Sequence, residues 1–100
     1  MSQSQNETDI LTKVKPKKIE RYKVLMLNDD FTPMNFVVVI LQTIFEKSLQ
    51  EAEFLMQMIH TKKKAVVGIY AEKEADQKID MVHNEAKKNG FPLKCIKEKV

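Results

Sequence analysis

The chain has 100 residues and a formal net charge of +3, with 43% hydrophobic and 31% charged residues. That is the length and composition of one ordinary globular domain, and two Gly and three Pro exclude a collagen-like chain. The single cysteine, Cys95, excludes an intramolecular disulfide and a Cys-based zinc site, which favours a reducing, cytoplasmic setting. No run of about 18 apolar residues is present, so we expect no membrane-spanning segment and no membrane partner.

The first 20 residues differ from the rest because they contain few large apolar side chains. Such a segment cannot bury enough surface to offset the entropy lost on ordering. We therefore predict a flexible N-terminal extension over residues 1–20 and a folded domain over residues 21–100. The opening residues show no basic segment followed by an apolar stretch, so we expect no secretory signal.

A short strand is predicted over residues 22–27, which are rich in strand formers and end at the turn signal Asn28-Asp29-Asp30. Thr32 followed by Pro33 predicts the start of a helix, with the threonine hydroxyl as the cap. The β-branched residues at 37–40 favour a strand, but the cap and the length of the helical apolar pattern favour a helix up to Phe45.

A second helix is predicted to begin at Ser48, because Ser48 and Glu51 have the spacing of a capping box. Lysines at 62–64 suit the negative end of that helix. A buried strand is predicted over residues 65–70.

The third helix is predicted over residues 72–88, with acidic residues early and lysines late, as the helix dipole prefers. Asn89-Gly90 is predicted to end the helix with a residue in the left-handed conformation, and Pro92 prevents continuation of the helix. The last strand is predicted over residues 93–97. The order β-α-α-β-α-β predicts a single small α+β domain, a three-stranded sheet packed against three helices. The first two strands are separated by a helical hairpin and need not be neighbours.

The densest polar signal is the loop Asn28-Asp29-Asp30. It has three interpretations: a turn that caps the next helix, a divalent-metal site together with His60, or a site for a cationic group such as an amine. The metal interpretation lacks further ligands, so we expect neither metal nor cofactor. No Ser-His-Asp order, nucleophile motif or Gly-rich phosphate loop indicates an enzyme.

Three methionines, Met34, Met56 and Met58, fall in helices near this loop. Each is explained by core packing, but together with Val37 and Ile59 they would also form an adaptable apolar pocket. The lysines are dispersed among acidic residues, and no RNA-binding signature or aromatic ladder is present, so no nucleic-acid partner is expected.

The segment KVLMLNDDFTPM at residues 23–34, continuing through Phe36 and Val37, resembles the signature of the ClpS family of adaptors for the bacterial Clp AAA+ protease. The resemblance covers about residues 22–97. It extends through Leu55-Met56-x-x-Ile59-His60, Ala65-x-x-Gly68-Ile69-Tyr70 and Pro92-Leu93-x-Cys95.

The resemblance implies a non-enzymatic adaptor that binds substrates by their N-terminal residue, the N-degron, with Leu, Phe, Tyr or Trp preferred. It implies that Asn28, Asp29 and His60 contact the α-amino group and that Asp30 and Thr32 support the loop. The residues implied to line the side-chain pocket are Met34, Val37, Met56, Ile59 and Leu93, with Met34 as the gatekeeper against β-branched residues.

The resemblance also implies a partner, the N-terminal domain of a ClpA- or ClpC-type ATPase. The implied docking residues lie in the segment 72–78 and are Glu72, Glu74 and Lys78. The N-terminal extension would serve in substrate delivery, and the protein would be a cytoplasmic monomer.

Two other functions remain open at the level of the sequence. A small metal-assisted hydrolase would use Asp29, Asp30 and His60. A ribosome-associated interaction domain would share the β-α-α-β-α-β order with the C-terminal domain of a ribosomal stalk protein, but would have no use for the loop and pocket.

Overall fold

The computed structural model describes residues 19–100, so the predicted extension lies outside the described residues except for its last two. The elements are β1 (Arg21–Leu27), α1 (Met34–Thr43), α2 (Leu49–Lys62), β2 (Lys64–Ala71), α3 (Glu72–Lys88) and β3 (Lys94–Lys99). The predicted α+β class and element order are confirmed.

The three strands form one antiparallel sheet in the order β2-β1-β3, so β1 is central. The two strands separated by the helical hairpin are therefore direct neighbours. Leu25 lies opposite Val66 on one side and Ile96 on the other. A register shift between Val24 and Leu25 marks a bulge in the β1–β2 pairing.

The hydrophobic core lies between the helices and one face of the sheet. Val24 and Met26 of β1 are fully buried, as are Leu41 of α1 and Val82 of α3. Because successive strand residues point to opposite faces, Leu25 belongs to the outer face, where Val66 and Ile96 flank it. The helices thus cover one face of the sheet and leave the other open.

The predicted cap of α1 is wrong in its detail. Pro33, not Thr32, is the N-cap residue, and its carbonyl accepts from the backbone N–H groups of Phe36 (3.1 Å) and Val37 (3.2 Å). The Thr32 hydroxyl instead donates to the Asp29 carboxylate at 2.7 Å. This charge-assisted hydrogen bond holds the Thr32 side chain on Asp29, one residue before the N-cap position.

The two ends of α2 position the site. At its start the predicted capping box is confirmed: Ser48 Oγ accepts from Glu51 N, and Glu51 Oε1 accepts from Ser48 N. At its end Lys63 adopts a left-handed conformation with φ of 77°, so the chain turns directly into β2. The backbone N–H of Asn28 then donates to the Lys63 carbonyl at 2.9 Å, which ties the end of β1 to the end of α2.

The bounds of α3 agree with the prediction, and Gly90 takes the expected left-handed conformation with φ of 75°. The Phe91 N–H donates back to the Ala86 carbonyl at 2.9 Å. The Phe91 ring packs edge-to-face on Phe36, with ring centroids 4.9 Å apart, which joins the end of α3 to α1. The last strand begins one residue later than predicted, so Leu93 precedes it.

Candidate functional site

A cavity of about 210 Å³ lies where the loop after β1 meets the start of α1 and the last turns of α2. The bond from the Asn28 N–H to the Lys63 carbonyl holds the loop beside the end of α2, and α1 begins a few residues further along the chain at Met34. The nine residues around the cavity are Asn28, Asp29, Asp30, Thr32, Met34, Val37, Met56, Ile59 and His60. All nine belong to the set that the sequence analysis named.

The loop at the mouth of the cavity is organised by the Asp29 carboxylate. Its Oδ1 accepts from the backbone N–H groups of Phe31 (2.8 Å) and Thr32 (2.7 Å), and its Oδ2 accepts from the Thr32 hydroxyl. This pattern is an Asx-type turn, in which the side chain takes over the role of a backbone carbonyl. It holds the carboxylate in one orientation at the edge of the cavity.

The electrostatics of the loop keep Asp29 ionised. Partial burial opposes the charged form, but the hydrogen bonds from the Thr32 hydroxyl, the Thr32 N–H and the Phe31 N–H outweigh it and lower the pKa of Asp29. An ionised carboxylate has about four lone-pair sites, and the loop uses three. One acceptor position therefore remains for a ligand.

Two further acceptors border the same mouth. The Asn28 side chain is partly buried and the His60 ring is exposed in the last turn of α2. No hydrogen bond joins either side chain to another group within residues 19–100. An amide oxygen and a neutral imidazole nitrogen can each accept one hydrogen bond from a ligand.

The walls of the cavity are apolar. Val37 and Ile59 are buried, Met56 is partly buried, and Met34 is 45% exposed at the first position of α1. Pockets for drug-sized ligands usually measure about 300–1,000 Å³. A cavity of about 210 Å³ is smaller and is suited to a single side chain.

Leu93 is the one predicted pocket residue that does not line this cavity. It is 3% exposed and belongs to the core cluster that also contains Val37 and Ile59. It borders a second groove on the other side of the loop. Met58, the third methionine near the loop, does not line the cavity either.

The predicted docking residues lie on the first two turns of α3 and not at the cavity. Glu74 is exposed, and Glu72 forms an ion pair with Lys97 at 2.8 Å. Lys78 is partly buried, and its Nζ donates to the Ile44 carbonyl at 2.8 Å and lies 5.3 Å from the centre of the Tyr70 ring. Part of the Lys78 side chain therefore serves the packing of α3 against the end of α1.

The pairing of Thr32 with Asp29 was not predicted from the sequence. The sequence did offer a signal for the turn itself, since an Asp side chain in a loop commonly accepts from the backbone N–H two residues later. Within residues 19–100, no three His, Cys, Asp or Glu side chains are grouped for a metal ion. In the same range no helix has the length and apolarity to cross a membrane.

Comparison with known proteins assigns the family. The sequence model described as ATP-dependent Clp protease adaptor protein ClpS matches residues 17–96. The chain belongs to the ClpS family. This is a family of substrate adaptors that are not themselves enzymes.

Curated relatives and a solved structure agree with the ClpS assignment. The ATP-dependent Clp protease adapter protein ClpS of Treponema denticola is 53% identical over 81 residues, which is 81% of this chain and 80% of the relative. That of Herminiimonas arsenicoxydans is 46% identical over 88% of this chain and 84% of the relative. The structure of Agrobacterium tumefaciens ClpS2 bound to L-phenylalaninamide has a TM-score of 0.81 at 34% identity, and covers 83% of this chain and 100% of that chain.

Proposed function

We propose that this ClpS-family protein binds the free N-terminal residue of N-degron substrates, with Leu, Phe, Tyr or Trp preferred, and delivers them to the Clp AAA+ protease. The observation that carries the proposal is the small apolar cavity with an ionised carboxylate fixed at its mouth. The similar ClpS2, which is bound to L-phenylalaninamide, supports it.

The chemistry of the mouth suits an α-ammonium group. The pKa of an α-amino group is about 7.7–8.0, so this group is mostly protonated at neutral pH. Its three N–H groups need acceptors, and Asn28, Asp29 and His60 supply three. Asp30 and Thr32 support the loop, and the adjacent side chain of the substrate enters between Met34, Val37, Met56 and Ile59.

The energies are consistent with reversible binding. Burying a Leu or Phe side chain contributes about 1.5–3 kcal/mol, and each hydrogen bond to a charged group contributes roughly 1.5–3 kcal/mol. With gains at the upper end of these ranges and an association cost at the lower end, about 4 kcal/mol, the binding free energy is about −8 kcal/mol, which corresponds to a dissociation constant near the micromolar range. Such an affinity suits an adaptor that must release its substrate.

The proposed protein partner is the N-terminal domain of a ClpA- or ClpC-type ATPase. It would contact the first turns of α3, where Glu72 and Glu74 are exposed and Lys78 is partly exposed. This surface does not share residues with the cavity, so substrate and ATPase can be bound together. We further propose a monomer that acts in the cytoplasm, with an extension over residues 1–20 that assists delivery.

Binding of phenylalaninamide and of its N-acetylated form tests the proposal by calorimetry. Only the free amine should bind, because acetylation removes the positive charge and two of the three donors. Its affinity should fall as the pH rises through about 8, where the amine loses its proton. Equal affinity for both compounds would refute amine recognition.

A further inference from the structure

A second groove of about 630 Å³ lies beside the cavity and shares its loop. Phe31 forms one wall, and this residue is 77% exposed although its backbone N–H is held by Asp29. The residues before and after it, Asp30 and Thr32, line the cavity itself. The loop therefore contributes residues to both the cavity and the groove.

The far wall of the groove comes from the end of α3 and the start of β3. Its lining residues are Phe31, His83, Lys87, Gly90, Phe91, Pro92, Leu93 and Lys94. The wall is held in place by the Phe91–Phe36 ring contact and by the Cys95 N–H, which donates to His83 Nε2 at 3.0 Å. That bond makes Nε2 the acceptor, so Nδ1 carries the ring hydrogen as a donor.

The charges of the groove differ from those of the cavity. The cavity is bordered by two carboxylates, Asp29 and Asp30. The lining of the groove contains two exposed lysines, Lys87 and Lys94, and no carboxylate. The groove therefore combines an aromatic surface with cations and suits an acidic segment that also makes apolar contacts.

We propose that this groove receives the third to fifth residues of a bound substrate and favours acidic side chains there. The inference rests on the proposed function, in which the first residue occupies the cavity. An extended chain advances about 3.3–3.6 Å per residue, so these residues lie roughly 7–14 Å from the first. The cavity and the groove meet at loop residues 30–32, so a chain that leaves the cavity beside Phe31 would enter the groove that Lys87 and Lys94 border.

Two peptides that both begin with Phe test the inference, one with glutamate and one with lysine at positions 3–5. We expect the acidic peptide to bind about three- to tenfold tighter at low salt, as for a few exposed charge pairs, and the difference to shrink at high salt. The variant Lys87→Glu/Lys94→Glu should reverse the preference. The milder variant Lys87→Gln/Lys94→Gln should abolish the preference for the acidic peptide. It provides the test if the glutamate variant does not fold.

The matched control is Lys47→Glu/Lys73→Glu, which changes the net charge equally at two positions outside both linings. It should keep most of the parent's preference. Equal affinity of the parent for both peptides, or an equal effect of control and groove variants, would overturn the inference. Phenylalaninamide has no third residue, so its binding reports the cavity alone. If the parent binds it without distinguishing the peptides, the groove inference fails while the proposed function stands.

Discussion

The Asp29 carboxylate holds the turn at residues 29–32 and, in the proposed function, binds the substrate amine. The substitution Asp29→Asn separates these two roles. An asparagine oxygen can still accept from the N–H groups of Phe31 and Thr32, which lie 2.8 and 2.7 Å from Oδ1. Its amide nitrogen can donate to the Thr32 hydroxyl, with the direction of that bond reversed. The turn is therefore retained while the negative charge is removed.

Removal of the charge should weaken ligand binding more than it lowers the free energy of unfolding. Truncating one partner of a buried charged pair costs about 2–5 kcal/mol, and Asp29 is only partly buried and keeps a neutral acceptor. We therefore expect a loss of about 1–3 kcal/mol for phenylalaninamide, roughly 5- to 150-fold in affinity. The free energy of unfolding at neutral pH should fall by no more than about 1 kcal/mol, the scale of one net hydrogen bond.

The pH dependence of stability gives a second readout. Because the folded state lowers the pKa of Asp29 below its ordinary value of 3.8, its contribution to stability is present above that value and is lost as pH falls through the lower folded value. The difference in unfolding free energy between the parent and Asp29→Asn should be constant near neutral pH and shrink below pH 3.8.

Calorimetry with phenylalaninamide and chemical unfolding of the same samples measure both quantities. Asp80→Asn is the matched control, since it removes one carboxylate from the exposed face of α3. If Asp29→Asn binds phenylalaninamide as tightly as Asp80→Asn does, the carboxylate has only a structural role in the loop. Recognition of the amine by the Asp29 charge would then be refuted.

Three further changes test other parts of the molecule. Met34→Ala should admit Ile or Val as the first residue of a peptide. It should reduce the preference for Phe over Ile by roughly tenfold, the scale for one or two methylene groups in an apolar pocket. An unchanged preference in peptide titrations would show that Met34 is not the selector. Deletion of residues 1–17 should leave peptide affinity unchanged but impair degradation of an N-degron substrate by the partner protease, and a large loss of affinity would contradict this. Lys63→Gly should raise the free energy of unfolding by about 0.5–1 kcal/mol, because it relieves a left-handed non-glycine residue at φ of 77°. Lys62→Gly, at the last residue of α2, should lower the free energy of unfolding. A similar effect at both positions would argue against relief of strain.

Local signals in the sequence determined most of the elements. The capping box at Ser48 and Glu51, the charge gradient along residues 72–88 and the stop at Gly90 each act within a few residues, so their outcome can be read without the fold. The cavity residues were also available from the sequence, through the loop at residues 28–32 and the resemblance to the ClpS family.

Only the tertiary structure decided how these pieces meet. The central place of β1 and the left-handed turn at Lys63 bring the loop after β1 beside the end of α2, and Leu93 falls in the core and borders the second groove. Thr32 donates to Asp29 instead of capping α1, and Lys78 reaches the carbonyl of Ile44. These outcomes depend on which surfaces bury one another and on which acceptors lie nearest in space. Such competition between distant groups is not encoded in the local pattern around any one residue.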